Sequence, residues 1–303
     1  MAKPRRILTL AALAASAAMT FAAMLVAACD GGPITSATGV AYDPRHGGRG
    51  LLDVYSPEGA HDRPAVLIVH GGSWNSRGRG DHGQTAQRLA HSGYVAATIE
   101  YRLVPEGVFP AAAQDCFCAL AFLRAHAAEY GLDPQRVALM GYSAGGQLVS
   151  LLGVHAEDAA LQDPGCPAGV TFAPAAVIDG AGPADLRDLA DADPVRAFVG
   201  VDLAQHPEVW SAASPIDWVS ADDPPFLIVH AERDLVVPVA QSERFRDRLR
   251  ERGVDARLLE LPGGGHILNE GTDLAHEVVE VSLETPEAWL AIVDFLERTV
   301  GAP

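Results

Sequence analysis

Residues 137–146 read Val-Ala-Leu-Met-Gly-Tyr-Ser-Ala-Gly-Gly, and this stretch constrains the fold more than any other. The apolar run Val137-Ala138-Leu139-Met140 predicts a short strand buried on both faces, and Ala144 to about His155 predicts a helix. Between them, Gly141-Tyr142-Ser143-Ala144-Gly145 leaves room for one sharp turn. Small residues around Ser143 relieve the backbone crowding of such a turn. The turn lifts Ser143 Oγ above the strand ends, at a helix N-terminus that favours developing negative charge.

The rest of the chain keeps this alternation. Strands are predicted over Leu51–Tyr55, which alternates like a sheet edge, and over Ala65–Val69, Tyr94–Ile99, Ala175–Ile178, Phe226–Val229 and Ala256–Leu261. Helices are predicted near 82–91, from Pro110 to about Tyr130 with Gly131 as its stop, over 239–252 and over 286–299. Strands alternating with helices imply an α/β fold with a mostly parallel central sheet flanked by helices. Residues 185–213, rich in Asp, Pro and Ala, break the rhythm and fit a small helical cap insertion.

Of the 303 residues, 49% are hydrophobic, which supports a globular core and excludes whole-chain disorder. The formal charge is −17; residues 1–28 hold Lys3, Arg5 and Arg6 and no acid, so the remainder stands at −20. Such a surface repels phosphate backbones, which argues against a nucleic-acid partner.

The first residues read as an address. Three bases precede an apolar, Ala-rich run from Ile7 to Ala28, the pattern of a secretory signal. Leu25-Val26-Ala27-Ala28-Cys29 resembles the lipobox of bacterial lipoproteins, which would make Cys29 a lipidated membrane anchor. Ordinary secretion and a retained anchor are the alternatives, and all three place the chain outside the cytoplasm. Residues 1–28 are thus expected to be a signal peptide, 29–39 a flexible Gly/Ser/Thr/Pro tether, and 40–303 one domain. Cys116 and Cys118 point to different sides of a helix and should not pair with each other. Cys166 can bridge to either, or all three can be free thiols. No metal-type cysteine spacing is present, and no metal or organic cofactor is expected.

A Ser hydroxyl needs a base to become a nucleophile. Of the eleven His, His266 fits best, because it follows the Leu261-Pro262-Gly263-Gly264-Gly265 loop after the last strand. His230 ends a strand and reads as structural, and His276 has no clear place. The base needs an acid to fix its tautomer. Asp234 follows the 226–229 strand, and the chain order Ser143, Asp234, His266 suits such a triad; Glu232, Asp179 and Asp185 compete for the role. His70-Gly71-Gly72-Ser73-Trp74 follows the 65–69 strand. Backbone N–H groups of Gly71, Gly72, Ser73 and Ala144 are the candidate oxyanion donors, His70 reads as a loop anchor, and Trp74 and Tyr142 are assigned to the substrate pocket.

Taken together, these motifs resemble the α/β-hydrolase superfamily. His70 to Trp74, Tyr101-Arg102-Leu103 and Gly141 to Gly146 resemble the bifunctional feruloyl and acetyl-xylan esterases. Tyr101 to Glu106, Phe109 to Ala112 and Asp115 also resemble hormone-sensitive-lipase-like carboxylesterases. That group usually has a third Gly where Ser73 stands and an acidic residue where Tyr142 stands, which favours the first family. The resemblance implies a serine carboxylic-ester hydrolase acting on a small-molecule or carbohydrate ester of a short acyl or aryl group. An amidase or peptidase of the same fold, such as a formamidase, and an inactive surface binding module are the competing readings.

Overall fold

The computed structural model describes residues 32–155, 160–167, 173–266, 283 and 285–303. Among them, eight strands form one sheet: β1 (Ile34–Ala41), β2 (Leu51–Pro57), β3 (Arg63–Val69), β4 (Val95–Ile99), β5 (Leu132–Tyr142), β6 (Ala176–Gly180), β7 (Phe226–Ala231) and β8 (Ala256–Leu261). Their order is β1-β2-β4-β3-β5-β6-β7-β8. The β1–β2 and β2–β4 pairs are antiparallel, and every other neighbour is parallel. The helices are α1 (Gly83–His91), α2 (Ala111–Ala125), α3 (Ala127–Tyr130), α4 (Ala144–Val154), α5 (Asp193–Val199), α6 (Pro207–Ala212), α7 (Ala240–Glu251) and α8 (Pro286–Thr299).

Side-chain alternation along β3 shows how the layers arise. Ala65, Leu67 and Val69 face a core shared with α2, α4, α7 and the cap. Val66 and Ile68 face a second core shared with α1 and α8. A strand covered on both faces has no polar side, which is why β3 reads as a continuous apolar run. The chain winds from β3 to β4 on one side and then crosses to β5 on the other. The reversal of strand order leaves a crevice beyond the carboxyl ends of β3 and β5, where α/β sheets place ligands.

Three expectations need correction. Residues 34–39, read as part of a tether, lie in β1, which pairs with β2 from Ile34↔Pro57 to Ala41↔Leu51. β1 is half exposed and carries a bulge between Ala37 and Val40, so no apolar alternation marks it. Consequently β2 is not the sheet edge; β1 is. The single helix predicted up to Tyr130 is two, because His126 takes φ −106°, ψ 22° and interrupts it. Gly131, in the left-handed region at φ 73°, ends the second.

The cap expectation holds in kind. Between β6 and β7 the chain forms a short 3₁₀ turn (Leu186–Leu189), α5, α6 and a second 3₁₀ turn (Pro215–Asp217). Phe198 and Trp210 anchor this insertion in the main core. Cys118 on α2 is bonded to Cys166, and Cys116 is a buried free thiol. The expected signal peptide, Cys29 and His276 lie outside the described residues. No described helix is long and apolar enough to cross a membrane.

Candidate active site

β5 delivers Ser143 directly into α4. Ser143 has φ 56° and ψ −119°, a backbone conformation that costs a non-glycine residue about 1–3 kcal/mol. Neighbouring elements hold it there. The Ser143 N–H donates to Gly180 O at 2.7 Å, and Ser143 O accepts from Gln147 N at 3.0 Å. Close approach explains Gly145, where a Cβ would run into the carbonyls of Val69 and His70. These carbonyls belong to the end of β3 and the loop after it, so the nucleophile turn and that loop are pressed together.

Three loops bring the remaining groups to Ser143. His266, after β8, places Nε2 2.7 Å from Ser143 Oγ and Nδ1 2.6 Å from Asp234 Oδ2. A carboxylate only accepts, so Nδ1 carries the proton and the Nε2 lone pair faces the Ser143 hydroxyl. Asp234 is fixed in turn. Its Oδ1 accepts from the N–H groups of Val236 and Val237, each at 2.9 Å, and His230 Nε2 lies 3.2 Å from Oδ2. Burial pushes its carboxyl up, but hydrogen bonds from His230 and His266, the charge of His266 and the Val237 N–H outweigh this and hold it well below the usual carboxylate range.

The competing acids are accounted for elsewhere. Asp179 accepts from Ser150 Oγ on α4 and from the Gly182 N–H after β6. Asp185 pairs with Arg187, and Glu232 Oε2 accepts from the Gly263 N–H at 3.4 Å. The Tyr142 ring centroid lies 5.4 Å from that of His266, beside the reacting centre. Trp74 was expected to wall the pocket; its side chain is only 3% exposed, stacked on Phe198 of α5 with its Nε1 donating to Gln147 Oε1 at 3.0 Å.

The loop after β3 takes positive φ at three successive residues, Gly72 at 99°, Ser73 at 54° and Trp74 at 57°, which glycine adopts freely and which strains Ser73 and Trp74. A Cβ on Gly71 would lie 3.3 Å from Ser143 Cβ, so the loop abuts the nucleophile. The N–H groups of Gly71, Gly72, Ser73 and Ala144 donate to nothing among the described residues. Free N–H groups beside an activated hydroxyl are what a developing oxyanion requires. Sequence reasoning reads His230 as structural and His70 as a loop anchor, and the contacts of both agree with this, but it does not find Tyr101 under the loop, Gln147 behind Trp74 or Ser242 behind His230.

The chain is similar in sequence and in fold to known esterases. Esterase LipC of Mycobacterium tuberculosis is 36% identical over 227 residues, covering 71% of this chain and 56% of LipC. The chain spans about half the length of the curated relatives it matches. A truncated carbohydrate esterase from gut microbiota superposes with a TM-score of 0.74 at 25% identity, covering 89% of this chain and 98% of that one. An acetyl ester-xyloside bifunctional hydrolase from Caldicellulosiruptor lactoaceticus gives 0.66 at 26% identity, covering 81% and 88%. The BD-FAE family model matches residues 52–249, and the chain belongs to the BD-FAE family of α/β-hydrolases.

Proposed function

We propose that this chain is a serine carboxylic-ester hydrolase using Ser143, His266 and Asp234. The observation that carries the reading is His266, bridging Ser143 Oγ at 2.7 Å and Asp234 Oδ2 at 2.6 Å. Ser143 Oγ bonds to the ester carbonyl carbon while His266 Nε2 takes the hydroxyl proton. Negative charge on the carbonyl oxygen is met by N–H groups drawn from Gly71, Gly72, Ser73 and Ala144. The carbon–oxygen bond to the alcohol then breaks, and His266 returns the proton to the departing oxygen. Water, deprotonated by His266, adds to the acyl carbon; the bond to Ser143 Oγ breaks, His266 returns the proton to Oγ, and the acid is released.

Short acyl or aryl esters, carbohydrate esters included, are the proposed substrates. Solved structures similar to this chain carry the names carbohydrate esterase and acetyl ester-xyloside hydrolase. The test is Ser143→Ala, assayed on p-nitrophenyl acetate, acetylated xylan and methyl ferulate, with fluorophosphonate labelling of the wild-type protein. Turnover should fall by about 10⁶. A folded variant that keeps more than a few per cent of wild-type activity overturns the reading.

We also infer export and lipid anchoring through Cys29, on the strength of the apolar run and the Leu25–Cys29 motif. Because β1 begins at Ile34, only residues 30–33 separate Cys29 from the sheet, a reach of about 17 Å at full extension. Cys29→Ser should leave the membrane fraction or stay unprocessed; processed, membrane-bound protein would refute lipidation.

A further inference from the structure

Tyr101, just past β4, is fully buried beneath the loop that follows β3. Its hydroxyl lies 3.1 Å from His70 O and 3.3 Å from Gly71 O. Both are carbonyls, so the Tyr101 O–H is the donor to each, shared between them. Burial pushes the phenol well above its ordinary value, so the donor persists across the working pH range. His70 adds a second restraint, since its Nδ1 is 2.7 Å from Gly71 O. The carbonyl only accepts, so His70 is the neutral Nδ1–H tautomer. Burial, set against the hydrogen bond to Gly71, pushes its pKa down to about 3, in keeping with that neutral form. Its ring stacks on Tyr101 with centroids 4.2 Å apart.

In a trans peptide the C=O and the following N–H point in opposite directions. Holding His70 O therefore aims the Gly71 N–H, and holding Gly71 O aims the Gly72 N–H. The next peptide is fixed by another route: Gly72 O accepts from Asn75 N, Ser76 N and Ser76 Oγ at 3.0, 3.1 and 2.9 Å. All three carbonyls of this loop are thus tied back, and the three following N–H groups have no hydrogen-bond partner among the described residues, with Gly71 abutting Ser143.

We propose that Tyr101 is a positioning residue for the oxyanion donors, its hydroxyl aligning the Gly71 and Gly72 N–H groups by gripping the carbonyls of His70 and Gly71. This rests on the hydrolase reading above. Preorganised donors act mainly on the tetrahedral state, where charge has moved onto oxygen, so loosening them lowers kcat more than it weakens substrate binding.

The test is Tyr101→Phe in the full chain, which removes the hydroxyl and keeps the ring on His70. The expected result on p-nitrophenyl acetate is a kcat lower by about 10- to 100-fold, short of the 10²–10³ for losing a donor outright, with KM within about threefold. Affinity for a phenylboronic acid, which adds to Ser143 as a tetrahedral anion, should weaken by the same factor as kcat. The pH dependence of kcat should keep its midpoints, because His266 and Asp234 are untouched. A kcat within about twofold of wild type, or a loss with boronate affinity unchanged, overturns the proposal. If Tyr101→Phe does not fold, His70→Asn against His70→Leu decides. Asn retains a donor near Nδ1 and should keep kcat within about threefold; Leu should lose about tenfold with the same boronate signature, and equal behaviour of the two overturns it. Failure here beside an inactive Ser143→Ala leaves the hydrolase reading intact, whereas an active Ser143→Ala removes that reading itself.

Discussion

His230 Nε2 lies 3.2 Å from Asp234 Oδ2, so the carboxylate facing His266 has a second imidazole behind it. His230 is fully buried at the end of β7, with Nδ1 2.7 Å from Ser242 Oγ on α7 and Nε2 2.8 Å from Val237 O. The chain thereby ties the acid loop to both β7 and α7. His230→Asn is too short to span these partners and leaves Ser242 Oγ and Val237 O without it. It should lower kcat by about tenfold with KM little changed, and lower Tm, since each abandoned buried group costs about 1–3 kcal/mol. Steady-state kinetics alongside thermal denaturation check this; an unchanged kcat would mean that Asp234 holds its place without His230.

Asp234→Asn removes the charge that stabilises the imidazolium and favours the wrong tautomer of His266. A comparable change costs about 10⁴ in turnover. Asp179→Asn, Asp185→Asn and Glu232→Gln should stay within a few-fold of wild type, because their hydrogen bonds run to Ser150, Gly182, Arg187 and Gly263. Turnover of the four variants on one short-chain ester is the measurement.

Asp234 and Asp179 should give opposite stability profiles with pH. Asp234 is held below its ordinary range, so its contribution is present above about pH 4 and is lost as pH falls through the folded value. Burial pushes the Asp179 carboxyl up, so its charge costs stability as pH rises through the folded value. Asp179→Asn should therefore equal or exceed wild-type Tm at neutral pH and lose that advantage near pH 4. Asp234→Asn should be less stable at neutral pH, with the gap closing in acid. Melting curves from about pH 3 to about pH 8 test both signs.

Replacing Cys118 and Cys166 together by Ser opens a link across 48 residues. Chain entropy assigns such a link about 4 kcal/mol, a fall in Tm on the order of 10 °C. The bond joins α2 to the 160–167 segment, away from Ser143, so kcat at room temperature should change little. Differential scanning calorimetry with a parallel activity assay separates the two effects.

Gln147 joins three parts of the molecule. It accepts from Trp74 Nε1 at 3.0 Å, donates to Ala213 O at 2.9 Å, and sits on α4 one turn after Ser143. Gln147→Leu strands a buried indole N–H and a buried carbonyl, which should cost about 2–4 kcal/mol. Chemical denaturation measures the loss, and a value below about 1 kcal/mol would show that these groups find other partners.

Strands such as β3, β5 and β7 were legible in the sequence because burial on both faces demands unbroken apolar runs. The turn at Ser143 was legible because a strand entering a helix without a loop requires Gly and Ala on either side. The order of Ser143, Asp234 and His266 followed from where those strands end. β1 was not legible: at a half-exposed edge, pairing with β2 rests on backbone hydrogen bonds that polar residues make as well as apolar ones. The choice of Cys118 over Cys116 for Cys166 likewise depended on where distant segments pack. Tertiary structure alone decided the supports of the site. Tyr101 is 30 residues from Gly71, and Gln147 is 73 from Trp74. Local sequence fixes what a residue prefers over a few neighbours, whereas the partner that a buried hydroxyl or amide satisfies is chosen by which strand ends the sheet brings together.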